Sequence, residues 1–218
     1  MEYIQIAVDG PAGSGKTSIM QEVAKRLNYD FIDTGLTYRA FTKFLLAEKV
    51  DFNNGKAIEE ALSRFNCQYI NEEIYVNGEN YMAYVTGKDV MENINKITTL
   101  KVVRDFMVNL QREVATSLNC VLTGRDITTV VLPNAKYKIY LDCSVEARAK
   151  RRTMQNIKNH VEPTDYDTIF EMIKTRDESD KNREVGPLKI AHDAIVVDNS
   201  TTTFEEAVEN ILAIVKEK

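Results

Sequence analysis

Short apolar, β-rich runs recur along the chain at 3–8, 29–33, 119–123, 137–142 and 194–198, and helical patterns stand between them. Residues 17–27 carry Ile19, Met20, Val23, Ala24 and Leu27 at helical spacing, and Phe204, Ala207, Val208, Ile211, Leu212 and Val215 repeat that stripe near the end. Strands alternating with amphipathic helices predict an α/β fold with a five-stranded parallel sheet flanked by helices. The stretch 66–85 departs from this: Ile74-Tyr75-Val76, then Asn77-Gly78, then the run 81–85 reads as a hairpin, hence a small inserted antiparallel β lobe. Residues 93–117 return to helical spacing, with Leu100, Val103, Met107, Leu110 and Val114 on one side. Arg104 and Arg112 fall among polar neighbours there, as on a charged surface or a site wall.

The 218 residues, 44% of them hydrophobic, suffice for one filled core with a small appended lobe. No internal repeat, low-complexity tract or Pro/Gly/Ser-rich linker divides them, so 1–218 reads as a single domain. A net charge of −5 argues against a nucleic-acid partner. No apolar run approaches the roughly 20 residues that span a bilayer, and Met1-Glu2-Tyr3-Ile4-Gln5-Ile6 lacks the features of a signal peptide. A cytoplasmic chain without a membrane partner is expected. Cys67, Cys120 and Cys143 show no paired spacing and read as buried or incidental thiols; His160 and His192 sit alone in polar segments and read as surface residues.

The strongest chemical signal is Gly10-Pro11-Ala12-Gly13-Ser14-Gly15-Lys16-Thr17, placed after an apolar strand and before an amphipathic helix. This is a phosphate-binding loop. Its glycines let backbone amides turn inward around an anion, and the helix N-terminus adds positive dipole character. Lys16 then reaches the β- and γ-phosphates of ATP, and the Thr17 hydroxyl is placed for Mg²⁺. Ser18 follows within the same first helical turn. The loop alone does not separate a kinase from a GTPase switch or a motor ATPase. The nearest approach to a guanine-specificity motif, Asn95-Lys96-Ile97-Thr98, lacks its aspartate, and the short length with many isolated arginines suits a small kinase.

Transfer between two anionic substrates needs cations that hold phosphate and neutralise charge, a task suited to guanidinium groups. Arg39 and Arg125 follow the strands at 29–33 and 119–123, beyond the carboxyl ends where open α/β sheets bind ligands. Arg148, Arg151 and Arg152 occupy the helix after the strand at 137–142, with Arg151 as the expected bystander. Arg176 and Arg183 bracket the polar run 177–182. The segment 156–165 is polar enough for a lid that closes over ATP.

These residues resemble the bacterial cytidylate kinases, within the nucleoside monophosphate kinases. The resemblance runs along nearly the whole chain: the loop with Asp9, then Asp33-Thr34-Gly35 with Tyr38-Arg39, Val103-Arg104, Gln111-Arg112, Gly124-Arg125-Asp126-Ile127, Arg176-Asp177, Asp180, Asn182-Arg183 and Pro187-Leu188. It implies a P-loop kinase with a nucleoside-monophosphate lobe at about 36–115 and a lid at about 153–184. CMP or dCMP is the implied acceptor, ATP the donor, Mg²⁺ the metal at Thr17 and a monomer the implied state. Gly10, Pro11, Ala12, Gly13, Ser14, Gly15, Lys16, Thr17, Ser18 and Arg148 become ATP-binding residues. Thr34, Tyr38, Arg39, Asn95, Arg104, Arg125, Asp126, Asp180 and Arg183 become CMP-binding ones. Lys16, Arg125, Arg152, Arg176 and Arg183 take the catalytic charge. Cytosine offers an amino donor beside acceptors, so Asp126 and Arg104 suit opposite parts of its edge. Three positions depart from the family pattern: Thr123 replaces an aspartate that supports Mg²⁺ through water, Thr128 a glycine and Asn95 a base-contacting serine. Asp9 and Asp33 are the carboxylates available to compensate for Thr123. A kinase for UMP or another small acceptor, and a nucleotide-binding regulator that has lost catalysis, remain as alternatives.

Overall fold

A computed structural model describes residues 3–216; residues 1, 2, 217 and 218, and so the first two residues of the N-terminal segment considered above, lie outside them. Five parallel strands form the main sheet: β1 (Gln5–Asp9), β2 (Asp30–Asp33), β6 (Cys120–Gly124), β7 (Tyr137–Asp142) and β8 (Ile195–Asp198), in the order β2-β6-β1-β7-β8. The run at 137–142 coincides with its predicted strand, and the other four begin one or two residues later than predicted. Val8 pairs with Thr123 and Asp33 also pairs with Thr123, so the carboxyl ends of β1, β2 and β6 finish side by side.

Helices α1 (Lys16–Leu27) and α8 (Phe204–Lys216) cover one face, where Ile19, Met20 and Val23 meet Val208, Ile211 and Leu212 over Ile6 and Val8. The other face buries Ala7, Ile32 and Leu122 against Val108 of α5 (Lys101–Ala115) and Ile127 of a short π-helix (Ile127–Val131). The second, three-stranded antiparallel sheet consists of β3 (Cys67–Ile70), β4 (Glu73–Val76) and β5 (Glu79–Asn80).

This sheet is the predicted small antiparallel β lobe, and the insertion around it is mostly helical. Alongside its sheet stand α2 (Gly35–Ala47), α3 (Gly55–Arg64), α4 (Lys88–Thr98) and α5. Its core joins Phe41 and Phe44 of α2 to Ile58 and Leu62 of α3, with the Phe65 ring edge-on to Phe41 at 5.0 Å. The predicted strand at 81–85 is a helical turn, with Val85 N donating to Tyr81 O (3.2 Å). Tyr81 and Val85 are both buried, four residues apart on one side of this turn. The helical region at 93–117 likewise divides in two: extended Leu100 (ψ 121) separates α4 from α5. After β7, α6 (Val145–Asn159) and α7 (Tyr166–Asn182) form a helical hairpin. Ser144 and Asp165 cap these helices, accepting from Ala147 N and Thr168 N. Among the described residues, no helix is long and apolar enough to cross a membrane.

Candidate active site

The loop between β1 and α1 turns through Gly15 at φ 89°, a conformation that L side chains rarely adopt, and Lys16 opens α1. The Lys16 ammonium folds over the loop, donating to Gly10 O (2.6 Å), Pro11 O (2.7 Å) and Ser14 Oγ (3.3 Å). Burial holds it well below its ordinary pKa, and the charge of Arg125 adds to this; Asp9, Asp33 and Asp180 work in the opposite direction. The loop is braced from beneath. Asn199, just beyond β8, donates to Ser14 O (2.6 Å), and Arg148 of α6 donates to Ala12 O (3.0 Å).

Arg148 also bonds beyond the loop. Its guanidinium, 3% exposed, forms a two-pronged pair with Asp177 of α7 and also donates to Cys143 O. It therefore ties the phosphate loop to the helical hairpin. Arg151, the expected bystander, braces Asn199 through its carbonyl (2.7 Å) and side-chain oxygen (3.3 Å). Ser18 donates to Gly15 O within the first turn, while Thr17 exposes its hydroxyl and donates to Asp33 Oδ2 at 3.3 Å.

The other arginines converge beyond the strand ends. Arg125 Nε donates to Asp180 Oδ2 (2.8 Å). Arg176 retains solvent access along its side chain, yet its crowded head lies below its ordinary pKa through desolvation and the like charge of Arg125; Asp180 opposes this, and Arg39 and Arg152 add to it. Arg183 is lowered by burial and by Arg104, with Asp126 and Asp180 opposing and Arg125 again contributing. The lowering of Arg176 and Arg183 by neighbouring guanidinium groups requires these groups to be close, and such a cluster, only partly neutralised by Asp126 and Asp180, suits a phosphoanion. Arg152 has one weak side-chain contact, to Gln155 (3.4 Å).

Farther along the cleft, Arg104 is 3% exposed and pairs with the Asp126 carboxylate, so it belongs to the wall of the site rather than to a charged surface. The Arg104 guanidinium also lies over the Tyr38 ring, 5.6 Å from its centroid. Burial pushes the Tyr38 hydroxyl up to about 12. Gly186 (φ 59°) packs directly on the ion pair, where a Cβ would run into both the guanidinium and the carboxylate. Thr34 turns inward, its hydroxyl donating to Thr123 O (2.8 Å). Asn95 is exposed on α4 and lines a cleft of about 590 Å³ with Met172, Arg176, Ser179 and Asp180 of α7.

A sequence profile described as cytidylate kinase matches residues 6–217. The cytidylate kinase of Mycoplasma capricolum is 42% identical over 212 residues, covering 97% of this chain and 96% of its own. That of Mesoplasma florum is 43% identical over 215 residues, covering 98% and 96%. The chain belongs to the cytidylate kinase family. This is a family of phosphotransferases that use a phosphate group as acceptor. A shikimate kinase structure from Bacteroides thetaiotaomicron, 14% identical with a TM-score of 0.51 over 98% of both chains, shares the fold alone.

Two departures from the cytidylate kinase pattern have a structural counterpart. Thr128 bonds through both its backbone N (2.8 Å) and its hydroxyl (2.6 Å) to Asp9 Oδ2, while Ile127 N takes Asp9 Oδ1 (2.8 Å). Buried Asp9 is thereby committed to holding the π-helix against β1, and burial still raises its pKa despite these bonds. Thr123 places a neutral hydroxyl side chain at the β6 position paired with Asp33.

Three useful residues escaped the sequence reading. Asn199 had a positional signal, since it directly follows the strand predicted at 194–198. Gly186 and Tyr69 had none. The Tyr69 hydroxyl crosses from the insertion to donate to Asp33 O (2.7 Å), a contact that only tertiary packing creates.

Proposed function

We propose that this chain transfers the γ-phosphoryl group of ATP to the 5′-phosphate of CMP or dCMP, reversibly and by in-line attack. The observation that carries the reading is the spatial order of the cleft. A phosphate loop with Lys16 lies at one end, the buried Arg104–Asp126 pair beside Tyr38 at the other, and Arg125, Arg176 and Arg183 between them. ATP occupies the loop, with Lys16 released from the loop carbonyls to its phosphates. Arg39, Arg125 and Arg176 hold the acceptor phosphate, joined by Arg152 and Arg183 as negative charge spreads in the transition state. The acceptor is already anionic at neutral pH, so positioning and charge stabilisation suffice without a covalent intermediate.

Asp126 offers a fixed acceptor to the cytosine amino group, and Arg104 offers donors to the ring acceptors. Uracil would set its carbonyl against the carboxylate, leaving a buried polar group unpaired. Asp180 and Asn95, which line a cleft together with Arg176, are assigned to the ribose and base side of CMP. The insertion at 36–115 serves as the acceptor lobe and the hairpin at 153–184 as the lid, which Arg148 and Asp177 link to the phosphate loop. Mg²⁺ fits the oxygen chemistry of Thr17 beside Asp33. Mg²⁺ is commonly bound through one or two carboxylates together with substrate phosphates, which suits a site of this size. Bound there, it neutralises β- and γ-phosphate charge.

The test is ADP release with ATP and Mg²⁺ across CMP, dCMP, UMP, AMP and shikimate, with chromatographic identification of the product. CDP and dCDP are expected to dominate, and folded Lys16→Met is expected to lose nearly all turnover. ATP binding without acceptor-dependent turnover would instead favour a nucleotide-binding regulator.

A further inference from the structure

We infer that Asp33 is the protein carboxylate of the divalent-cation site, acting with the Thr17 hydroxyl; this rests on the ATP·Mg²⁺ reading above. Asp33 ends β2 and is half-buried, while Thr17 lies exposed in the first turn of α1. Their oxygens stand 3.3 Å apart. Adjacent ligands of an octahedral Mg²⁺, each 2.0–2.1 Å from the ion, are separated by about 3 Å, so this pair already has nearly the spacing of two neighbouring ligands.

The carboxylate is held from several sides. Asp33 Oδ1 accepts from Gly35 N (2.9 Å), leaving Oδ2 toward Thr17. The Asp33 carbonyl accepts from half-buried Tyr69, and the next amide, Thr34 N, donates to Thr123 O (3.1 Å). Such fixation limits the conformational entropy lost when a cation binds.

Its competitor is excluded by its own bonds. Asp9 is fully buried, and both of its oxygens are taken by Ile127 and Thr128. Releasing it would strand buried donors and detach the π-helix. The strand neighbour of Asp33, Thr123, carries no charge. Residues in register on neighbouring strands point to the same side of a sheet, so Thr123→Asp sets a second carboxylate beside Asp33.

The experiment uses Mn²⁺ as the probe, its free concentration read by electron paramagnetic resonance, with the full chain and ADP. ADP affinity is measured separately in EDTA. Asp33→Asn keeps the acceptor for Gly35 N and is expected to weaken Mn²⁺ binding to the ADP complex by at least about tenfold, with ADP affinity in EDTA unchanged. Recovery of Mn²⁺ binding in Asp33→Asn/Thr123→Asp would support a ligand role over a structural one. Wild-type Mn²⁺ affinity in a folded Asp33→Asn variant would overturn the assignment. If circular dichroism finds that variant unfolded, Asp33→Glu, which retains charge but moves the carboxylate by one methylene, decides the point: unchanged Mn²⁺ affinity again overturns it. A wild-type protein that binds ADP without taking up Mn²⁺ would overturn the cation site alone, whereas failure to bind ADP would overturn the ATP reading with it.

Discussion

Arg104 and Asp126 form a buried pair on which both stability and the proposed reading of the base rest. Both side chains are under 10% exposed, and each compensates the desolvation of the other. Arg104→Ala leaves the Asp126 carboxylate with only Arg183 at 3.8 Å. Loss of one buried partner costs roughly 3–5 kcal/mol, so the substitution is expected to lower the urea midpoint as well as impair use of CMP. Measuring stability beside CMP and UMP kinetics separates the effects, and unchanged kinetics for both nucleotides in a folded variant would remove the base-reading role. Lys16 shows the same tension in another form. Its buried ammonium is satisfied by loop carbonyls, at an unfavourable electrostatic position that an incoming phosphate would improve.

At the scale of elements, the π-helix is held to the sheet by a single carboxylate. Asp9 ends the central strand, and Thr128 supplies two of its three bonds. Thr128→Gly, which restores the residue of the family pattern, removes the hydroxyl bond and adds backbone freedom in a helix. The expected loss is roughly 2 kcal/mol, read from denaturant unfolding. An unchanged midpoint would mean that the hydroxyl contributes nothing net. The divided helix at Leu100 is equally consequential, because the break lets α4 carry Asn95 on an open cleft while α5 buries Arg104 against Asp126. Periodicity located both apolar faces; it did not reveal the change of direction between them, since Leu100 satisfies the same spacing in either arrangement.

Across the whole molecule, burial of weakly acidic groups makes alkaline pH the vulnerable direction. Cys67 and Cys120 are pushed from 9.0 up to about 12, and Tyr38 and Tyr140 from 10.0 up to about 12, in each case first by desolvation. A folded-state pKa above the unfolded one means that the native state retains protons the unfolded chain releases. The stabilising contribution is therefore complete below pH 9 for the thiols and below pH 10 for the phenols, and is lost as pH rises toward about 12. Urea midpoints are expected to hold steady up to pH 9 and then fall, with the Cys67→Ala/Cys120→Ala variant falling less steeply between pH 9 and 10. The four groups lie in different parts of the fold, Cys67 in the insertion and Cys120 and Tyr140 in the main sheet, so the loss is a property of the molecule rather than of one site.

The sequence by itself determined the main sheet, because short β-rich runs alternate with segments whose apolar stripe at period 3.6 marks the helices covering them. It determined the phosphate loop too, whose function resides in consecutive backbone positions. Arg39, Arg125 and Asn199 were legible or nearly so, since each lies just beyond a recognisable strand. Tertiary structure decided what required contact between distant segments: Arg104 with Asp126, Arg148 with Asp177, Tyr69 with Asp33, and Thr128 with Asp9. An arginine has the same identity in the sequence whether it braces a loop or awaits a phosphate. Which of the two it does depends on whether a carboxylate or carbonyl from another element has taken its donors, and only packing brings that partner within reach.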